Sequence, residues 1–359
     1  MQFIKTHKKI KNNGFYGVIL FFAAAICILG FTSSASQGAL RGLKISSSII
    51  IPSLFPFTVF SVFFEKSGGL MWISKKAQKV SMPILRCRGT DFSVILLSLL
   101  GGYPIGAKLS NELYKQGGIS HKAAKRLLMF SVNPGPAFII AIVGKNILKS
   151  NTAGLILFSA NTLACLILNL FLNILDKENK TKKEFTVYEN MNVSDAFVES
   201  VYEGTRVIIN ICAFVTLFSC ISEIMKPALI KMNCYSLVCP LLEISFGINE
   251  VAELGLKPYF YSLLLSFGGL STICQIKQAG ENIAPSFGLI IISRIIHGIT
   301  ATAFSYVLFK IFPISRSVIS NGVDIKFEYP LFIPSMVLLV FAVMFLMFLN
   351  QQKEKIRLT

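Results

Sequence analysis

FSVILLSLLGGYPIGAKLSNELYKQGGISHKAAKRLLMFSVNPGPAFIIAIVG, residues 92–144, decides how this chain is read. The opening run FSVILLSLL is apolar but too short to cross a bilayer, which takes about 20 residues of helix. It breaks at Gly101-Gly102-Tyr103-Pro104 and gives way to the polar GAKLSNELYKQGG. A second hydrophobic stretch starts near Ala124 and is interrupted at Asn133-Pro134-Gly135-Pro136. Backbone groups freed at membrane depth must find protein, water or solute as partners. Two kinked helices packed in a bundle satisfy that demand. A pair of discontinuous segments around a binding site in mid-membrane satisfies it equally.

Working outward, the whole chain is built for lipid. Of 359 residues, 53% are hydrophobic and 15% charged, against about 25% charged in a soluble domain; mean hydropathy is +0.64. The expected class is an all-α polytopic membrane protein. Apolar windows fall near 15–32, 46–64, 92–107, 124–144, 152–175, 205–226, 234–248, 259–276, 287–312 and 331–349. The net charge of +17 sits in loops and tails between these windows, as orientation signals do. No aromatic-rich basic module points to nucleic acid. The basic N-terminus and the basic loop from Lys66 to Arg88 are both expected inside the cell. SSASQG at 33–38 has the composition of a signal cleavage site, but the run from Phe15 to Thr32 is long for a signal core. An uncleaved first span is expected. The eight cysteines match no zinc spacing and read as small apolar filler.

The expected organisation is a basic N-terminus with the first span (1–45), a first half (46–175), a hydrophilic linker (176–204), a second half (205–312), and a final loop, span and basic tail (313–359). The linker carries seven acidic residues and four lysines. Asp195, Glu199 and Glu203 repeat every four residues, which suggests an amphipathic interfacial helix leading into the next span.

The halves repeat. LLSLLGGYP at 96–104 matches LLLSFGGLS at 263–271, so Gly101 and Gly102 recur as Gly268 and Gly269. Arg126 recurs as Arg294: the second glycine precedes it by 24 residues (126 − 102) in one half and 25 (294 − 269) in the other. Paired interruptions at matching places are the sequence mark of a transporter core. Whether the copies are parallel or inverted is open.

GGYPIGAKL, the AKRLL segment, NPGPAFIIAIVG, LEISFGINE and SFGGLSTICQ resemble the YlbJ family of sporulation integral membrane proteins, from about Leu43 to Phe312. That family is placed in the nucleoside-recognition Gate group, which is similar to concentrative nucleoside transporters. Its second half reads close to LEITNGI, and here Ser245 and Phe246 replace the Thr-Asn pair. The resemblance implies a two-fold repeat of that transporter type. It also implies an endospore former and movement of dipicolinate from mother cell toward forespore, across the mother-cell-derived outer forespore membrane.

A flat dianionic ring needs donors and positive potential away from bulk water. Gly-Gly breaks bare backbone N–H groups, and half-helix N-termini favour anions. The substrate-site candidates are therefore Gly101, Gly102, Tyr103 and Pro104 at the first break, Asn133 and Gly135 at NPGP, and Gly268, Gly269, Ser271, Thr272 and Gln275 at the second. Tyr103 is placed to stack on the ring. Glu243 and Arg294 join them, because a charge inside an apolar run is costly and reads as functional. Glu243 is expected to hold a coupling cation or proton, or to pair with Arg294. Arg294 has two candidate partners, Glu243 first and a cargo carboxylate second. Glu223, close to Lys226, reads as a span-end residue, and His297 as a hydrogen-bonded packing residue.

HExxH, GxSxG and a Walker loop are missing, so no enzyme and no ATP-driven step is expected. The residues call for no resident cofactor and no metal; a coupling Na+ or H+ is open. The expected partners are a small anion and the bilayer, with a homo-oligomer left open. The competing classes are a nucleoside or nucleobase transporter and a non-transporting spore-membrane assembly protein.

Overall fold

In the computed structural model, the backbone of residues 2–175 and 191–314 is described, with side chains from Gly14 onward. Every regular element among these residues is helical. Five helical runs are long and apolar enough to cross a membrane: Thr32–Lys66, Asn151–Leu175, Val193–Lys231, Pro258–Ala279 and Phe287–Ile311. The chain is thus a multi-pass membrane protein, all-helical among the described residues. The expected last span and basic tail beyond residue 314, and the linker at 176–190, lie outside the described residues.

The elements in order are α1 (Gln2–Gly30), α2 (Thr32–Ile45), a π-helical turn (Ser46–Ile50), α3 (Ile51–Lys66), α4 (Gly69–Leu85), α5 (Gly89–Gly101), α6 (Tyr103–Lys115) and α7 (His121–Phe130). A π-helix (Ala137–Ile147), α8 (Asn151–Leu175) and α9 (Val193–Lys231) follow. The chain continues through α10 (Tyr235–Leu242), α11 (Ile244–Ala252), α12 (Tyr261–Phe267), α13 (Gly269–Ala279) and α14 (Phe287–Ile311).

Two long rods frame the centre. Thr32–Lys66 is one continuous helical run, because the π-turn carries the helix across residue 45. It lies antiparallel against α9. A Cβ on Gly38 would stand 2.6 Å from Cys220 Cα, one on Gly42 2.6 Å from Thr216 Cα, and one on Gly204 2.8 Å from a Val59 methyl. In lipid there is little hydrophobic gain in joining helices, so small residues that let backbones approach do the work. Helix α9 itself runs 39 residues without interruption, through the place where the sequence suggests linker gives way to span.

The remaining helices are short because their sequence stops them. Helix α5 ends where Gly102 takes φ +86°, a left-handed value that glycine accepts without cost. Pro104 then sits in the first turn of α6, where its missing N–H is no loss. Ser120 caps α7 by accepting from the Ala123 N–H at 3.3 Å. That helix stops at Phe130, ahead of the two prolines of NPGP. The window 234–248 is not one span. It is an eight-residue and a nine-residue helix joined by Glu243 in extended conformation, and they fold back closely enough that Gly247 meets the Pro240 backbone. Helix α12 ends at Gly268, φ +76°, and Gly269 follows at φ +85°.

Candidate functional site

Four helix beginnings meet at one buried cavity. Gly102, Tyr103 and Pro104 bring the start of α6; Gly135 and Phe138 bring the start of the π-helix. Glu243, Ile244 and Ser245 bring the start of α11, and Thr272 and Gln275 bring the first turns of α13. The long rods close the sides with Ile49 to Leu54 and with Ile211 and Val215. Each helix start carries unsatisfied N–H groups and the positive end of its dipole. The cavity therefore combines apolar walls with a positive backbone field.

Its free volume is about 40 Å³, room for about three waters, whereas a cavity that takes benzene is roughly 150 Å³. A ring-sized solute enters only if the walls part. Glu243 is the charged side chain among the lining residues. Its carboxyl is 1% exposed. One oxygen accepts from the Ser245 N–H at 2.7 Å, capping α11, and the other, Oε2, has no hydrogen-bond partner.

The breaks touch in pairs. A Cβ on Gly102 would lie 3.5 Å from Gly135 N, and one on Gly269 3.0 Å from Leu242 O and 3.1 Å from Glu243 Cα. Of the four glycines, Gly102 lines the cavity, and Gly269 backs the part of the wall that Glu243 forms. Each wall is also held by a donor from the opposite half. Arg294, fully buried on α14, donates to the carbonyls of Met129 and Val132, at and just beyond the end of α7. Tyr103 donates its hydroxyl to the Leu265 carbonyl in the last turn of α12. Both donors satisfy carbonyls that a helix end leaves open.

This corrects the expected pairing of Arg294. No ion pair joins it to Glu243 among the described residues, and its fork grips backbone rather than a carboxylate. A guanidinium offers five donors, and a broken helix supplies carbonyls to match them. Arg126, its sequence counterpart, is buried on α7 and pairs with Asp91 at 3.4 Å. The tyrosine's hydroxyl is engaged while its ring remains in the cavity wall.

Of the thirteen residues singled out from sequence, seven line the cavity: Gly102, Tyr103, Pro104, Gly135, Glu243, Thr272 and Gln275. The others stand behind it. Gly101 is packed on Ser61 and Ile105, Gly268 on the Thr272 side chain, and Gly269 on Glu243. Ser271 accepts from Gln275 Nε2 at 3.2 Å. Asn133 is buried near Cys165, and Arg294 caps α7. His297 contacts the Asn161 carbonyl at 3.2 Å, and Asn161 in turn accepts from Ser266 at 2.6 Å, so this histidine is part of a packing network.

Two ionic clusters went unread in the sequence. Arg41 on α2 donates to Glu223 at 2.8 Å, to Glu250 at 2.7 Å and to the Tyr235 hydroxyl at 3.1 Å, joining α9, α10 and α11. Glu203 on α9 takes Lys66 from α3 at 2.7 Å and Lys108 from α6. Eight residues separate Arg41 from Ile49, and eight separate Glu203 from Ile211, roughly 12 Å of helix each. The clusters therefore flank the cavity on its two sides along the rods. Glu223 is a bridge rather than a free span end, and Glu203 is a bridge rather than part of a solvated stripe. Only the small-residue spacing Ala35, Gly38, Gly42, Ser46 hinted that Arg41 faces protein.

The chain is similar to the sporulation integral membrane protein YlbJ of Bacillus subtilis (strain 168), with 23% identity over 332 residues covering 81% of each chain. No protein-family model matches. No solved structure matches.

Proposed function

We propose that this protein is a secondary transporter that carries a small organic anion, dipicolinate, from mother cell toward forespore through the outer forespore membrane. One observation carries the reading: four helix N-termini converge on a narrow cavity that lies between two ionic clusters. The convergence favours a negative group on the cargo. The clusters suit two gates that open in turn, one freeing α2 from α11 and the other freeing α3 from α6. Similarity to a sporulation membrane protein supports the setting. In this proposal the two Gly-Gly breaks are equivalent parts of a two-fold repeat, of the Gate type related to concentrative nucleoside transporters. The protein is not an enzyme, and an ion gradient or trapping of the cargo supplies any accumulation.

A second reading has its own support. Glu243, the charged lining side chain, disfavours a dianion when ionised and is compatible with a neutral nucleoside or nucleobase. Counterflow in proteoliposomes decides between them. Preloaded dipicolinate is expected to drive uptake of labelled dipicolinate, and preloaded uridine is not. Exchange of uridine alone selects the second reading; exchange of neither removes both and returns the protein to the assembly class.

A further inference from the structure

The geometry points to Glu243 as a proton-binding site that takes up one proton with each anionic cargo molecule. This rests on the transport reading above and names its coupling. The carboxyl is buried in the wall where the starts of α6, the π-helix, α11 and α13 meet. With no cargo, it is the negative group that those positive ends hold, one oxygen capping α11 through the Ser245 N–H. The second oxygen has no partner, and a buried charge left half-satisfied is expensive.

Around the carboxyl stand the Ser271 hydroxyl of α13, which bonds to it, Ser245 of α11, and Thr272 and Gln275 of α13, all neutral. Tyr103 of α6 is the titratable group within electrostatic reach, and its hydroxyl is already donated to Leu265. No arginine, lysine or histidine from α9, α10, α12 or α13 forms an ion pair with it among the described residues. A cargo carboxylate entering this cavity competes with Glu243 for the same helix starts. Two carboxylates competing for these helix starts away from bulk water cannot both stay ionised. The weaker claimant accepts a proton.

The step balances simply. Water on the open side supplies one proton to Oε2, the cargo carboxylate replaces the ionised Glu243 in the helix-dipole field, and the reverse occurs on the other side.

The test uses the full chain in liposomes containing a trapped pH dye, with the membrane voltage clamped and dipicolinate as the probe. Cargo entry is expected to acidify the lumen by about one proton per molecule. An acid-outside gradient of one pH unit should raise accumulation about tenfold. In Glu243→Gln the proton count per cargo molecule should fall to near zero, whatever rate remains. If that variant carries nothing, Glu243→Asp decides, since it keeps a carboxyl: about one proton per cargo supports the assignment and none overturns it. Wild-type net uptake into cargo-free liposomes without lumen acidification overturns the inference alone, as does a sodium gradient that replaces the pH gradient. No counterflow by the wild type overturns the transport reading and this inference with it.

Discussion

The two walls of the cavity are built alike and anchored differently. On one, Gly102 meets Gly135, backbone against backbone and without charge. On the other, Gly269 meets Glu243, a buried carboxyl at a helix start. Arg294 holds the first wall by bonding two carbonyls with a charged fork. A single neutral hydroxyl, that of Tyr103, holds the α12 end of the second. Hydrogen bonds to charged groups contribute about 1.5–3 kcal/mol and neutral ones about 0.5–1.5. The first wall is therefore the more strongly anchored one. The second, which carries Glu243, is expected to yield first.

Removing the stronger anchor should do the most damage. Arg294→Met leaves two carbonyls open in a fully buried place, and a loss of about 3 kcal/mol or more is expected, read as the unfolding midpoint in detergent. Arg294→Lys should lose about half of that, because an ammonium does not reproduce the fork. Both should leave the apparent affinity for dipicolinate close to that of the parent. A weakened affinity with an unchanged midpoint would restore direct recognition of the cargo carboxylate.

The glycines sharpen the contrast. Alanine at 102 meets the strain of φ +86°, ψ −173°, a region essentially reserved for glycine, about 1–3 kcal/mol, and little else, since its neighbours stand 3.5 Å away. Alanine at 269 meets a positive φ of +85° and also Leu242 O at 3.0 Å, so it should be the costlier of the two. Leucine at either position should abolish counterflow while the protein still reaches the membrane. Equal midpoints for the two alanine variants would mean the second wall yields freely at no cost.

Tyr103→Phe removes one neutral hydrogen bond and keeps the ring, for about 1 kcal/mol. The smallest effect needs no mutation. Amide hydrogen exchange should be faster through α10–α13 than through α5–α7; the opposite order would reverse which wall moves.

Much of this was legible in residues 92–144. Glycine and proline are local commands, so the ends of α5 and α7 follow from Gly102 and from NPGP without knowledge of neighbours. The same logic finds Gly268-Gly269. The break at Glu243 was not legible as a break. No glycine or proline stands at that position, and the window 234–248 is apolar enough to pass for a single segment.

What the sequence alone determined was the helical membrane class, the stops at Gly102, NPGP and Gly268-Gly269, and the presence of costly charges at Glu243 and Arg294. Those are consequences of composition and of backbone chemistry within a few residues. The partners of the charges were decided only by tertiary structure. Arg294 meets Met129 across 165 residues of chain, and Arg41 meets Glu250 across 209. An arginine can bond either to a carboxylate or to open helix-end carbonyls, and packing decides which of them it reaches.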